Sequence, residues 1–373
     1  MSDLKLNVFG QFRRDEDGNV AVTFSVVLIP ILLAVGLATD YSAATNNRAM
    51  MQNALDAATL SLAALPETMT NPQREVKLQE FYVGNAGVGT AKLNSFAITA
   101  TGAVDAVSSA TFDMSTNFMK LANYTKVPIG VVTEMHKEPT LIEAKFEIDK
   151  ASGWWNKTMT LKGRKYGEST YNNLMKITYA YNNSGESKGY GTTSVYKVTK
   201  NAQGNTVETL IQQQVCISVK TTGSGQNRTT TTYGDTNLLT STEMAQPPSS
   251  TITSGSYVTN CWFKSGITAD RFIDVSTMED IYLQMDVPSG NPNVLKSNDP
   301  TTANRLYLDG VEVVGNGKPV DIFSVVPCGE TSAQAWEDGG NAVPAPVENA
   351  DFFYRVTGKC DYSQRPIGIS LTK

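Results

Sequence analysis

Histidine is almost missing from this sequence: His136 is the one copy in 373 residues. Mechanisms that need a histidine base beside a nucleophile therefore have one candidate. It stands in "TEMHKEPT" at an expected strand end, with no G-x-S-x-G elbow in the chain, and is read as a surface or domain-junction residue. No Walker A string and no G-x-G-x-x-G after a strand occur, so nucleotide binding has no motif to rest on. Charged residues make up only 18% and the net charge is -5, which leaves no basic footprint for nucleic acid. There is no C-x-x-C, so a zinc site lacks its usual spacing. Glycine and proline are both missing from residues 37 to 65, so nothing there breaks a helix.

What is present begins with an apolar run. Asn19 to Thr39 holds 21 residues without a formal charge, about 31 Å as a helix, the thickness of a bilayer's hydrocarbon core. A secretory signal has a shorter apolar core, although Ser42-Ala43-Ala44 keeps signal cleavage open as an alternative. Lys5, Arg13 and Arg14 precede the run and only Arg48 follows it closely. Basic residues favour the inner face, so the N-terminus is expected in the cytoplasm and everything after about Asp40 on the outward side. Beyond the run, Tyr41, Ala44, Met51, Leu55, Ala58, Leu62 and Leu65 recur at helical spacing, while Asn46, Asn47, Arg48, Gln52 and Asp56 fill other faces. One continuous rod from Asn19 to Leu65 is expected, roughly 70 Å long, with a kink at Pro30 and a stop at Pro66. Its many alanines permit close approach of a partner helix as well as of its own head domain.

A charged leader ending at Gly18, followed by an uncharged helix that continues outside the membrane, is the layout of pilins and pseudopilins. The stretch "RRDEDGNVAVTFSVVLIPILLAVGLATDYSAATNNRAMMQNALDAATLSLAA" resembles, more closely, the N-terminal segment of TadG-like proteins in the TadE/TadG group. The resemblance covers residues 13 to 64, rests on "GNVAV", "GLATDYS" and "QNALDAA" in one register, and extends more weakly to about residue 135. It implies a single-pass inner-membrane or pilus-associated component of the tight-adherence (Flp) pilus machinery. Pilin-like subunits and other assembly proteins are the implied partners, and Gly18 and Asn19 the candidate prepilin-type processing site. Two departures stand out. Prepilins usually carry Glu at the fifth position after the processing Gly, where this chain has the neutral Thr23. Longer relatives carry a D-x-S-x-S metal motif; here Asp274-Val275-Ser276-Thr277-Met278 lacks the last Ser, and Asp149-Lys150-Ala151-Ser152-Gly153 is misspaced.

Farther along, Asn71-Pro72 opens an expected helix over residues 71 to 83. Two strands about Gly102, a short helix near Ser115 to Ala122 and the strand "KVPIGVVTEM" complete a small α/β pilin-like head over 70–137. Alternating runs from "AKFEIDKA" to "TLIQQQVCISVK" predict an antiparallel, sandwich-like β domain over 140–222. Residues 223–255, rich in Thr, Ser and Gly, read as a linker or long loop. Strands resume over 256–373 with "SYVTNCWF", "DIYLQMDV", "RLYLDGVEVV", "DIFSVVPC", "FFYRVTG" and "IGISLT", and Asp309-Gly310 marks a two-residue hairpin.

All four cysteines lie on the outward side and read as two disulfides. Of three connectivities, Cys216 with Cys261 and Cys328 with Cys360 is favoured, each worth roughly 3 to 4 kcal/mol by loop closure. Asn298-Asp299 with Asn304, or Glu337-Asp338 with Asn341, offer calcium-type oxygens, although the same strings read as turns. Trp154-Trp155, Trp262 and Trp336 are read as sandwich core, with a carbohydrate or partner surface as the alternative. The sequence thus predicts an α+β protein: a cytoplasmic leader over 1–18, a transmembrane and stalk helix over 19–65, the head, and a disulfide-stapled β region. It is expected to be non-enzymatic, without metal or cofactor, and to act through helix packing by Tyr41, Ala44, Met51, Leu55, Ala58 and Leu62. The alternative is a membrane-anchored periplasmic enzyme or calcium-dependent carbohydrate-binding protein.

Overall fold

The computed structural model of the chain describes residues 16–186, 189–288, 290–302, 305–314, 318–337 and 346–372. Two compact units divide it, Met1–Glu138 with Pro366–Lys373, and Pro139–Arg365.

The first unit is built on one helix, α1 (Glu16–Leu62). Pro30 lies inside it without ending it. The hydroxyls of Ser25 and Thr39 donate to the carbonyls four residues back, Ala21 and Val35, at 2.7 and 2.9 Å. These two hydroxyls in the apolar stretch are thereby satisfied within the helix. A second helix, α2 (Asn71–Gly84), starts at Asn71, the residue expected to cap it. Thr70 is the N-cap, and Gln73 reaches back to accept the Thr70 N–H at 2.9 Å.

Against the C-terminal half of α1 lies an antiparallel sheet of β1 (Thr90–Ile98), β2 (Val104–Ser115), β3 (Lys126–Lys137) and β19 (Ile369–Leu371), in that order. The inward residues of β2 alternate strictly through Val104, Ala106, Ser108 and Ala110, and those of β3 through Ile129, Val131, Thr133 and Met135. In β1 the buried set runs Ala91, Leu93, Phe96, because a bulge between Leu93 and Ser95 inserts a residue and resets the facing.

The second unit is two facing sheets. The larger contains β5 (Lys157–Lys165), β6 (Asn172–Tyr181), β7 (Gly191–Lys200), β8 (Thr206–Thr222), β11 (Tyr257–Phe263), β13 (Met278–Asp286) and β14 (Val294–Lys296); the smaller contains β4 (Thr140–Ala151), β12 (Phe272–Asp274), β17 (Thr331–Glu337) and β18 (Phe352–Asp361). Their inner faces share one core, in which Phe146, Ile148, Tyr354 and Val356 meet Leu161, Ile177, Val195 and Leu283. Ile148 pairs with Tyr354 beside a bulge at Asp149, and its N–H and carbonyl are both met by the Gln212 side-chain amide, at 2.8 and 3.2 Å. The α+β composition, the long N-terminal helix, the antiparallel sheets and the two cystines match the sequence expectation.

Other features differ from it. The strand "IGISLT", expected in the C-terminal domain, becomes β19 and pairs with β3 in the head sheet, Ile369 opposite Lys137. The sandwich unit is therefore inserted between two neighbouring strands of the head, and the segments 140–222 and 256–365 form one unit instead of two domains. Residues 223–255, expected as a linker or long loop, carry an edge strand, β9 (Thr229–Tyr233), a helical turn, α3 (Ser241–Met244), and β10 (Ser250–Ser254). Threonine is β-branched and suits an edge strand without any apolar alternation to announce it. Glu243 pins this segment by accepting from the N–H and hydroxyl of Ser265 at 2.6 and 2.7 Å. "DIFSVVPC" holds the short helix α4 (Ile322–Val325), not a strand: Asp321 caps it by accepting the Phe323 N–H at 3.0 Å. The Asp309-Gly310 hairpin forms as expected, with positive φ at both residues, between β15 (Arg305–Leu308) and β16 (Val311–Val314).

Candidate functional site

The candidate site is the seam between α1 and its head. One face of the helix is covered at Met51, Ala54, Leu55, Ala58, Leu62 and Ala63, all fully or almost fully buried. Polar side chains lock the register beside that stripe. Gln52 Nε2 donates to Thr133 Oγ1 at 3.0 Å and to Asp56 Oδ1 at 2.8 Å, and Thr133 donates to Asp56 Oδ1 at 2.6 Å. Asn47 Nδ2 donates to the Ala43 carbonyl at 3.0 Å and meets Met114 Sδ at 3.2 Å. Asn47, Gln52 and Asp56, expected on other faces of the helix, thus border the head.

Two cations close the C-terminal end of α1, where carbonyls lack helical donors. Lys137 Nζ donates to the Ala63 carbonyl at 2.9 Å, and burial lowers its pKa to about 8. Arg74 donates to the carbonyls of Leu62, Pro66 and Met69 at 3.3, 2.6 and 3.2 Å and stacks 4.0 Å over the Phe96 ring.

At the other end of the seam is Asp40, only 1% exposed. Its carboxylate accepts the N–H groups of Asn117, Phe118 and Met119 at 2.9, 2.9 and 2.7 Å, at the start of the turn Met119–Ala122. The Met119 hydrogen bond, with those of Asn117 and Phe118, holds the carboxyl below its usual range. One turn earlier, a Cβ placed on Gly36 would fall 2.5 Å from Phe118 Cβ, so only glycine lets the head close on the helix there. Gly36, Asp40, Asn47, Met51, Leu55, Ala58 and Leu62 share one helical spacing. Extending the apolar stripe backwards through a glycine and a charge would have found the first two.

Of the residues expected to pack helices, Met51, Leu55, Ala58 and Leu62 are buried under the chain's own sheet, Ala44 is half-buried and Tyr41 is 72% exposed. The stripe is thus occupied within the chain, which moves any partner helix to another face. Gly18 and Asn19 lie within α1; Lys5, Arg13 and Arg14 of the leader lie outside the described residues. The cystines join Cys216 to Cys261 and Cys328 to Cys360.

His136 places Nδ1 2.8 Å from Asp105 Oδ1 and Nε2 3.3 Å from Glu138 Oε1, and the Asp105 contact raises its pKa. Asp274 and Asp299 each turn back on a neighbour's N–H and hydroxyl, Ser276 and Thr301 respectively. Asn304, Asp338 and Asn341 of the calcium-type strings lie outside the described residues. Among the described residues no three His, Cys, Asp or Glu side chains converge as metal ligands. Trp336 is buried in the sandwich and Trp262 half-buried, but Trp154 and Trp155 are exposed, because they fall in the bend after β4 and not in a strand.

The seam defines a helix-and-head unit in which the apolar N-terminal half of the helix is long enough to cross a membrane and is left uncovered by the fold. Residues 18–64, nearly coextensive with α1, match the family model of putative Flp pilus-assembly TadE/G-like proteins. This is the resemblance read from "GNVAV" through "QNALDAA". No curated protein and no solved structure matches the chain.

Proposed function

We propose that the protein is a non-enzymatic, membrane-anchored component of Flp pilus assembly, a minor pilin-like or scaffold subunit held by α1 with its N-terminus in the cytoplasm and both folded units in the periplasm. One observation carries this reading. The family match falls on the helix whose first half is apolar and uncovered and whose second half is seated in a head.

Pilin-like partners would pack on the surfaces that the head leaves free. These are the apolar stretch up to Leu37 and the stalk flank of Ser42, Thr45, Ala49 and Asn53, which are exposed on the side of α1 away from Met51. Small side chains there allow another helix to approach closely. The sandwich would serve as a binding or scaffolding module, and the exposed neighbours Trp154 and Trp155 are its best candidates for a surface or carbohydrate ligand. Two cystines suit an oxidising compartment.

The test is deletion of the gene with surface pili and adhesion as readouts, complemented by the native chain and by Ala49→Trp. Loss of both phenotypes on deletion, restored by the native chain but not by a folded Ala49→Trp protein, is the expected result. Normal pili and adhesion after deletion overturn the reading.

A further inference from the structure

We propose that the turn Met119–Ala122 and its flanks form an interfacial wedge that beds into the phospholipid leaflet beside α1 and sets the depth at which the helix sits. The inference rests on α1 crossing the membrane, and on the place where the head touches it.

Phe118 lies on Gly36, inside the uncharged run and only a few residues before its end. At about 1.5 Å per residue that contact is some 6 Å on the apolar side of Asp40. A segment touching the helix there shares the depth of its lipid-facing neighbours Leu33, Val35 and Leu37, all exposed.

The turn's side chains suit that depth and no aqueous one. Phe118 is 42% exposed, Leu121 74% and Tyr124 64%. Tyr41, adjacent to Asp40 on the helix, is likewise exposed. Three exposed apolar or aromatic side chains within seven residues make a local patch that water penalises. Tyrosine prefers the boundary between headgroups and acyl chains. Lys120 is exposed on the same segment and places positive charge where anionic headgroups would lie, while the exposed Lys126 is shared with Asp113 at 3.8 Å.

The backbone is adapted to the position as well. A turn entering the boundary region must have its N–H groups satisfied from within. Asp40 does this for Asn117, Phe118 and Met119, and the Thr116 hydroxyl donates to the Tyr124 carbonyl at 2.5 Å. Asn123 closes the turn in the left-handed region, φ 67°, with its N–H on the Lys120 carbonyl at 3.0 Å. The wedge is thereby a preformed loop fastened to the helix at its exit from the lipid.

The experiment uses the full chain in liposomes of neutral and anionic phospholipid, with an environment-sensitive fluorophore on a cysteine introduced singly as Leu37→Cys, Leu121→Cys or Val76→Cys. The native cysteines are bonded and unavailable to the label. Val76 is exposed on α2, near the far end of α1. Nitroxide lipids labelled near the headgroup are expected to quench Leu121 about as strongly as Leu37 and to leave Val76 unquenched. Gly36→Val, which displaces Phe118, should reduce quenching at Leu121 alone. Quenching at Leu37 with an aqueous Leu121 overturns the wedge while leaving the membrane-spanning helix standing. No quenching at Leu37 defeats the spanning helix itself, and the wedge with it.

Discussion

Asp40 Oδ2 accepts the N–H of Met119 at 2.7 Å, across 79 residues of sequence. The first charged residue after the apolar run is thus a fastener between helix and head, and its removal should loosen the turn without unfolding the sheet. Asp40→Ala is expected to speed amide hydrogen exchange at residues 117 to 119, with Asp40→Asn intermediate because one acceptor oxygen survives. The carboxyl is held below its unfolded value of 3.8. The contribution is therefore fully present above about pH 4 and lost as pH falls through the lowered value. Proteolytic nicking of the turn should differ between native protein and Asp40→Ala at neutral pH and converge in acid. Equal nicking at neutral pH would contradict the role.

Leu55 sits at the middle of the buried helix stripe with no exposed surface. Leu55→Ala should destabilise the first unit by about 2 to 5 kcal/mol through lost burial and a residual cavity. All four tryptophans, 154, 155, 262 and 336, belong to the second unit, whereas α1 and α2 belong to the first. Denaturation followed by helical dichroism should therefore shift to lower denaturant while the tryptophan transition stays in place.

Lys137 gives the first unit an alkaline signature. Its pKa falls from 10.5 to about 8 on burial in the folded chain. The unfolded state binds the extra proton between those values, so stability rises as pH increases from about 8 towards 10.5, and below 8 the cost of burying the charge is complete. The difference in stability between the native protein and Lys137→Met should change across this window, as read by helical dichroism under denaturant. A difference that stays constant would mean that the lysine does not titrate there.

Much of this architecture could be read in the chain before folding. The uncharged run, and the absence of glycine and proline from residues 37 to 65, give α1, and alternation gives most strands of the sandwich. Asp309-Gly310 gives its hairpin because only a few residue pairs tolerate two positive φ angles. What escaped the reading is what depends on partners distant in sequence. The return of Ile369 to Lys137 is a pairing across the whole inserted unit, and no local pattern encodes it. Asp40 looked like the charge that ends a membrane span; its three acceptor contacts exist only once residues 117 to 119 arrive. The apolar letters of "DIFSVVPC" suit strand and helix alike, and the Asp321 cap decided between them.

The cystines make the last prediction, which concerns where the fold can form. Cys216 and Cys261 are register partners on β8 and β11, so hydrogen bonds already hold their strands together. Cys360 lies on β18, while Cys328 follows α4 outside any strand and meets that strand through a single bridge to Gly358. The loops closed are 45 and 32 residues, a difference worth only about 0.3 kcal/mol in closure entropy. If constraint of the unfolded chain is the main effect, replacing either pair by alanine should lower the second unit's stability by a similar amount, about 2 to 5 kcal/mol. Tryptophan-monitored denaturation, run with and without a reductant, measures both. A clearly larger loss for Cys328→Ala with Cys360→Ala would show that this bridge also anchors its segment in the folded state. No loss for either pair would remove the argument that the sandwich depends on an oxidising compartment.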